Sequence, residues 1–305
     1  MRGIWKIKGP KDENKTANSF RLKWEKTPSL CFEETLNENS EIFKWILRRN
    51  GFQNSNEFQK YLVEKERILD AGCGNGRVTA LLRKYSKPET AIVGIDLVSH
   101  EIAQGNLKYE SNVFFYRKDI LDDLTELGHF DYIYCQEVLH HTENPKKAFE
   151  NLCSLLSPNG EISIYVYKKK APVREFVDDF IREKISYLPY DDAVKVCKQI
   201  TEVGRALSEC KQKIEVPTID VLEIKGDEYD VQRFFYHFFM KCFWNPEMSF
   251  EDNAVINYDW YHPQLCSRHT IKEVQQWFSD CGLRIKHEHV DFYGITMSGS
   301  KEPNK

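Results

Sequence analysis

The 305-residue chain is 41% hydrophobic and 30% charged, which fits one large globular domain or a domain carrying an insertion and excludes whole-chain disorder, collagen and coiled coil. Lysine and arginine number 43 against 47 acidic residues, and a formal net charge of -4 gives no global positive field for a phosphate backbone, so nucleic acid is not expected as a partner.

Residues 1–40 read as a basic N-terminal arm. The first 26 carry eight lysines or arginines against three acids, and the run Lys11 to Ser19 is too polar to pack alone. A solvated tail is the expectation for most of it, with Phe20, Leu22 and Trp24 able to dock; the functional alternative is an arm folding over a substrate or touching an anionic partner. The opening residues are charged and no apolar run approaches the roughly 18 residues of a membrane span, so neither a secretory signal nor a spanning helix is expected. Nine scattered cysteines without CxxC spacing read as reduced thiols of a cytoplasmic protein, mostly small buried hydrophobes.

Residues 41–167 form the core in this reading. Ile42, Trp45 and Ile46 lie on a helical stripe, and a helix over 57–66 leads into a strand at Arg67–Asp70. Further strands are expected at 91–97, 113–120, 130–136 and 161–167, with helices at 76–85, 100–110 and 144–156. In the last helix Asn144 suits the N-cap, Pro145 the first turn, and Ser157 to Gly160 a turn into the next strand. Alternating strands and helices imply βαβ units and a parallel sheet. After Tyr167 helical patterns run to residue 268, an expected helical insertion capping the substrate. Thr270 and Glu273 then form a capping box, and strands at 284–291 and 294–300 complete the sheet within 269–305. The fold class is α/β: a Rossmann-like, mostly parallel seven-stranded sheet flanked by helices, with the insertion between its fifth and sixth strands.

Asp70-Ala71-Gly72-Cys73-Gly74-Asn75-Gly76 joins the first strand to its helix. Three alternate glycines let a ligand approach the backbone, and the GxGxG spacing argues against a dinucleotide pyrophosphate turn. Asp96 ends the second strand, where a carboxylate can accept from ribose hydroxyls, and Asp119 ends the third, where one can accept from an adenine amino group. With Asp70, three strand ends on one sheet edge match what adenosine with an amino-acid tail requires.

The segments ILDAGCGNG, IVGID, KDI and FDYIYCQEVLHHTENPKKAF...LLSPNG resemble the successive motifs of class I S-adenosylmethionine-dependent methyltransferases across residues 67–167. The resemblance implies S-adenosyl-L-methionine as cofactor, with Gly72, Gly74 and Gly76 at its methionine part, Asp96 and the adjoining Leu97 at the ribose, Asp119 and Ile120 at the adenine, Gln136 near the methionine end, and Asp70 holding the amino group directly or through water. A hydroxyl acceptor needs a base, for which His141 and His140 are the candidates, His141 matching the family position near the cofactor; local packing is the competing role. Glu137 is a second candidate.

The segment Asn257 to Pro263, followed by Arg268-His269-Thr270, reads as a loop over the substrate or a packed turn, and more loosely resembles the DWYxP...HT segment of methyltransferases of sugar, surface-polysaccharide and natural-product pathways. The aromatic stretch 234–244 is too continuous for a surface helix, leaving a core helix, a lid or a dimer contact open. No metal is expected, because His287 and His289 share a strand face without further ligands. Lys168-Lys169-Lys170 reads as a solvated run able to meet an anionic substrate. The leading expectation is methyl transfer to a small molecule, a hydroxyl of a sugar or metabolite, with an RNA or protein methyltransferase and a non-catalytic binding module as alternatives; oligomeric state is not assigned.

Overall fold

The structure, a computed structural model, describes residues 13–302. In chain order its elements are α1 (Glu13–Lys26), α2 (Phe32–Leu36), α3 (Glu41–Arg49), α4 (Ser55–Leu62), β1 (Arg67–Ala71), α5 (Arg77–Tyr85), β2 (Ala91–Asp96), α6 (His100–Asn106), β3 (Val113–Arg117), β4 (Phe130–Gln136), α7 (Pro145–Ser154), β5 (Leu156–Tyr167), α8 (Pro172–Ile185), α9 (Tyr190–Glu209), β6 (Lys213–Val216), β7 (Asp227–Asp230), α10 (Val231–Phe238), α11 (Phe250–Tyr261), α12 (Ile271–Asp280), β8 (Leu283–Val290) and β9 (Gly294–Lys301).

One seven-stranded sheet runs β3-β2-β1-β4-β5-β9-β8. The first five strands pair in parallel, and β9 is antiparallel to both β5 and β8. The order reverses between β1 and β4, and open α/β sheets bind ligands in the crevice such a reversal leaves at the carboxyl ends of the strands. Both faces are covered, which explains the nearly continuous apolar runs. Ile68 and Ile92 join Phe43, Phe58 and Leu81 on one face, while their neighbours Leu69 and Val93 join Phe149, Leu152 and Phe278 on the other.

Helix ends follow local chemistry. The Asn144 side chain accepts from Lys147 N, Pro145 opens α7, and α12 carries both halves of the Thr270/Glu273 capping box. Losing such a cap costs about 1 kcal/mol. The run expected as a turn at Ser157 to Gly160 is instead absorbed into β5, beside a register shift between Phe130 and Tyr132. Asn159, at φ 63, takes the left-handed conformation that lets the strand bend there.

Two expectations change. Residues 13–26 are not a solvated tail but helix α1, docked on α11 and the segment after it. Leu265 N donates to Thr16 Oγ1 at 2.9 Å, the Ser19 hydroxyl meets His262 Nδ1 at 2.7 Å, and Lys23 pairs with Asp259 at 3.0 Å. Composition hides this because the helix buries Thr16, Ser19 and Lys23, polar residues whose partners lie about 240 positions away. The rest of the expected arm divides into residues 27–40, which are α2 with the turns that flank it, and residues 1–12, which lie outside the described residues. The insertion is also not wholly helical, since β6 and β7 form an antiparallel ribbon in which Ile214 and Val216 alternate with charged residues. Its core joins α8, α9, α10 and α11 through Ile185, Cys197, Tyr236 and Trp260. The aromatic stretch is therefore largely internal, with Tyr236, Phe238 and Cys242 buried.

All nine cysteines are free and seven are buried. No helix among the described residues is long and apolar enough to cross a membrane.

Candidate active site

A cavity opens at the carboxyl edge of β1, β2 and β4. Asp70, Gly72, Gly74, Asp96, Leu97, Asp119, Ile120, Gln136 and His141 all line it, so nine positions scattered over seventy residues of sequence converge on one space. Phe20, Lys23 and Trp24 of α1 wall its other side.

Gly72 has φ +82, and a Cβ there would run into the side chain of Val138. Gly74 has φ +56, and its Cβ would lie 3.0 Å from the Trp24 ring, so this glycine admits both the turn and the docked helix. Gly76 does not reach the cavity. It is the N-cap of α5 at φ +84, packed where a Cβ would meet Leu107 and Ala103, so its small size serves the helix start.

Asp96 stitches the turn to the loop beyond β2. Its Oδ2 accepts from Gly74 N at 3.0 Å, and its Oδ1 accepts from Val98 N at 2.9 Å and Ser99 N at 3.0 Å. Asp119 Oδ1 accepts from Leu121 N at 2.8 Å, which fixes the carboxylate at the cavity wall. Asp70 is buried and takes a 2.6 Å hydrogen bond from Thr79. Burial pushes its carboxyl up to about 7; the Thr79 hydrogen bond opposes the rise and Asp96 adds to it. A buried carboxylate in such a place favours a cationic ligand group, and with Asp96 and Asp119 beyond it the residues fit an adenosine bearing an amino-acid tail.

Gln136 lines the wall, but its amide is engaged by its neighbours: Tyr134 OH donates to Oε1 at 2.9 Å, and Nε2 donates to Ser163 Oγ at 3.0 Å and to Asn50 Oδ1. Glu137 follows at φ 67, an uncommon conformation for a residue with a side chain. That turn brings its carboxylate to Arg49 at 3.0 Å and Arg77 at 3.6 Å. Burial alone would raise the Glu137 carboxyl, but Arg49 and Arg77 outweigh it and hold the group below its usual range.

The two histidines part company on a single 3-10 turn, Leu139–His141. His140 is fully buried, its ring tilted 32° against Tyr167 with centroids 3.7 Å apart, and neither ring nitrogen has a hydrogen-bond partner among the described residues. It lines neither cavity, and burial drives it well below its ordinary value, so it packs as an aromatic plate. His141 lines the cavity, its Nδ1 2.7 Å from Leu265 O and its ring edge-on to Phe20 at 4.7 Å. A carbonyl partner at Nδ1 makes that nitrogen the donor and leaves Nε2 with its lone pair. Burial lowers His141 to about 4, so it is neutral over the physiological range.

A second chamber, about 320 Å³ against about 210 Å³ for the first, shares Cys31, Arg77, Glu137, Tyr167, Ile256 and Asp259 with it. The DWYHP segment is the end of α11 rather than a loop, because the Tyr258, Trp260 and Tyr261 rings pack into the insertion core. Only Asp259 and Trp260 of that segment face a chamber. Asp259 Oδ2 holds Lys23, while its Oδ1 is buried with no hydrogen-bond partner among the described residues. Lys170, expected in a solvated run, is buried and lines the second chamber, donating to Phe292 O at 2.8 Å and to Tyr293 O. The HEH run is accounted for locally, His287 Nε2 meeting Arg49 O at 3.0 Å, and no group of three or more candidate metal ligands occurs among the described residues.

Sequence reading missed Arg49, Arg174 and Lys241, whose burial no local pattern signals. It also missed Arg77, although its place directly after the glycine turn puts it beside the cavity.

The family model described as methyltransferase domain matches residues 62–220, just over half of the chain. An uncharacterised protein of Synechococcus sp. is 31% identical over 149 residues, covering 45% of this chain and 34% of its own length. The ubiquinone biosynthesis O-methyltransferase of Coxiella burnetii is 25% identical over 107 residues, 34% of this chain and 44% of that protein. The chain thus matches less than half the length of these curated relatives. Among solved structures, PKMT2 from Rickettsia typhi shares the fold at a TM-score of 0.52 and 16% identity, covering 78% of this chain and 49% of that one.

Proposed function

Because the chain belongs to the methyltransferase-domain family, whose members draw a methyl group from S-adenosylmethionine, we propose that it transfers this methyl to a hydroxyl of a small molecule held between the two chambers. The observation that carries this reading is the shared wall: His141 stands in the chamber that fits the cofactor, and Glu137, Tyr167 and Asp259 belong to both spaces. The second chamber, about 320 Å³, falls within the roughly 300–1,000 Å³ typical of small-molecule pockets. The helical insertion and α3 line it, which suits a metabolite better than an extended polymer.

When bound, S-adenosylmethionine supplies an activated methyl that needs only an aligned nucleophile. The remaining work falls to the protein. Asp70 and Asp96 at the ends of β1 and β2, and Asp119 in the loop after β3, bind and orient the cofactor. His141 Nε2 accepts the acceptor's proton, its Nδ1–H anchored on Leu265 O. Asp259 Oδ1, a buried acceptor without a hydrogen-bond partner among the described residues, takes a hydrogen bond from the incoming molecule. Phe20, Trp24 and Tyr167 exclude water around them.

Calorimetric titration with S-adenosylhomocysteine tests the reading, and absence of binding would overturn it. The titration also has an expected pH dependence. Asp70 rises to about 7 when free, and an ammonium ligand requires its carboxylate. Affinity should therefore fall as pH drops through that value, by up to ~tenfold per pH unit. Asp70→Asn should bind more weakly and lose this dependence; a variant with the wild-type pH slope would assign the titration to another group.

A further inference from the structure

The second chamber carries more positive charge than the mechanism uses. Arg48, Arg77, Lys170, Arg174, Arg233 and Lys241 line it against Glu41, Glu137 and Asp259. Arg77 is matched to Glu137 and Arg48 is exposed, so the interior excess falls on the other four. Lys170, Arg174 and Lys241 are all more than nine-tenths buried. Among the described residues Lys170, Arg233 and Lys241 form no ion pair, and Arg174 gives only its Nε to Asp178, at 3.1 Å.

Asp178 offsets only part of the group's charge: it favours the charged form of Arg174 against burial, and it is one carboxylate beside four cations. Its two oxygens also accept from Trp260 Nε1 at 2.9 Å, Tyr261 OH at 2.8 Å and Lys241 N at 3.0 Å, and it is not part of the chamber wall. Asp259 is shared with Lys23. Lys170 is held by two backbone carbonyls, which leaves its charge uncancelled. Burying cations without counter-ions is costly, and structures keep such clusters where a ligand supplies the opposite charge.

We propose that this chamber is an oxyanion subsite: the methyl acceptor carries a carboxylate or phosphate group that Lys170, Arg174, Arg233 and Lys241 hold while its hydroxyl is presented toward His141. The inference rests on the methyltransferase reading and narrows its acceptor to an anionic small molecule. Arginine offers a planar fork to either group and lysine a point charge, and charge-assisted bonds of this kind are the strong ones. Trp45, Tyr165, Tyr236 and Trp260 supply apolar surface around the charge, and the Trp45 indole N–H is buried with no hydrogen-bond partner among the described residues. Burial pushes Lys170 well below its ordinary value and Lys241 down to about 8; Arg174 adds to both shifts, and Asp291, Asp178 and Asp259 oppose them without restoring the ordinary value. A bound anion reverses that penalty.

The test uses the full chain saturated with S-adenosylhomocysteine, titrated with benzoate, phenyl phosphate and neutral benzamide. At least one anion should bind, about tenfold or more tightly than benzamide, and the better of the two identifies the acid group. Lys241→Met and Arg233→Met should each weaken that anion by about tenfold or more. Arg233 is only half-buried, so its variant keeps the test sound should Lys241→Met fold poorly. Benzamide binding as well as the anions, no binding of either anion, or anion affinity unchanged in a folded variant would overturn the subsite. Loss of S-adenosylhomocysteine binding with anion binding intact would instead count against the methyltransferase reading.

Discussion

Alanine at His141 should lower transfer to a hydroxyl acceptor by ~10²–10⁴-fold while leaving S-adenosylhomocysteine affinity close to wild type. The effect is expected in kcat, because the imidazole takes a proton as the oxygen attacks and holds no part of the cofactor. The setting suits that task. Leu265 O fixes the tautomer, Phe20 and Tyr167 fix the ring plane, and a value near 4 keeps Nε2 free to accept at neutral pH. The same value sets the pH profile. At saturating cofactor the rate should stay level from neutral into mildly acidic solution and fall only as His141 gains its proton, since protonation removes the accepting lone pair. An acid limb near the ordinary histidine value, or a fully active alanine variant, would make His141 a packing residue and move the base to another group on the shared wall.

The parallel core was legible because its signals are local and repeat. Ile68-Leu69 and Ile92-Val93 are apolar on both faces, as a covered parallel strand requires, and Asn144-Pro145 and Thr270...Glu273 mark helix starts by chemistry confined to four residues. The glycine turn and the strand-end aspartates were legible for the same reason. What failed to show was anything decided by a distant partner. Helix α1 looks like a solvated arm until Lys23 meets Asp259 and Trp24 covers Gly74. His140 and His141 are neighbours of identical type, and only the 3-10 turn sends one beneath Tyr167 and the other to the cavity. Gly76 looked equivalent to Gly72 and Gly74 but starts a helix. Lys170 differs from Lys169 by one position, which β5 and α8 convert into burial against exposure.

Asp96→Ala should weaken S-adenosylhomocysteine by roughly 10–150-fold, the equivalent of the ~1.5–3 kcal/mol that hydrogen bonds to a charged acceptor contribute. Two causes add in the same direction. The ribose hydroxyls lose their carboxylate, and the backbone N–H groups of Gly74, Val98 and Ser99 lose the acceptor that holds the glycine turn to the loop after β2. Asp96→Asn separates them, because its one carbonyl oxygen can keep part of the backbone stitching while the charge and the second acceptor are gone. Calorimetric affinity and the thermal midpoint, measured on both variants, should therefore diverge. The asparagine protein should melt closer to wild type than the alanine protein does, yet bind S-adenosylhomocysteine more weakly than wild type. If asparagine restored affinity and stability together, the carboxylate would serve the turn alone; if alanine left affinity unchanged, the ribose contact would have to lie elsewhere on the β2 edge.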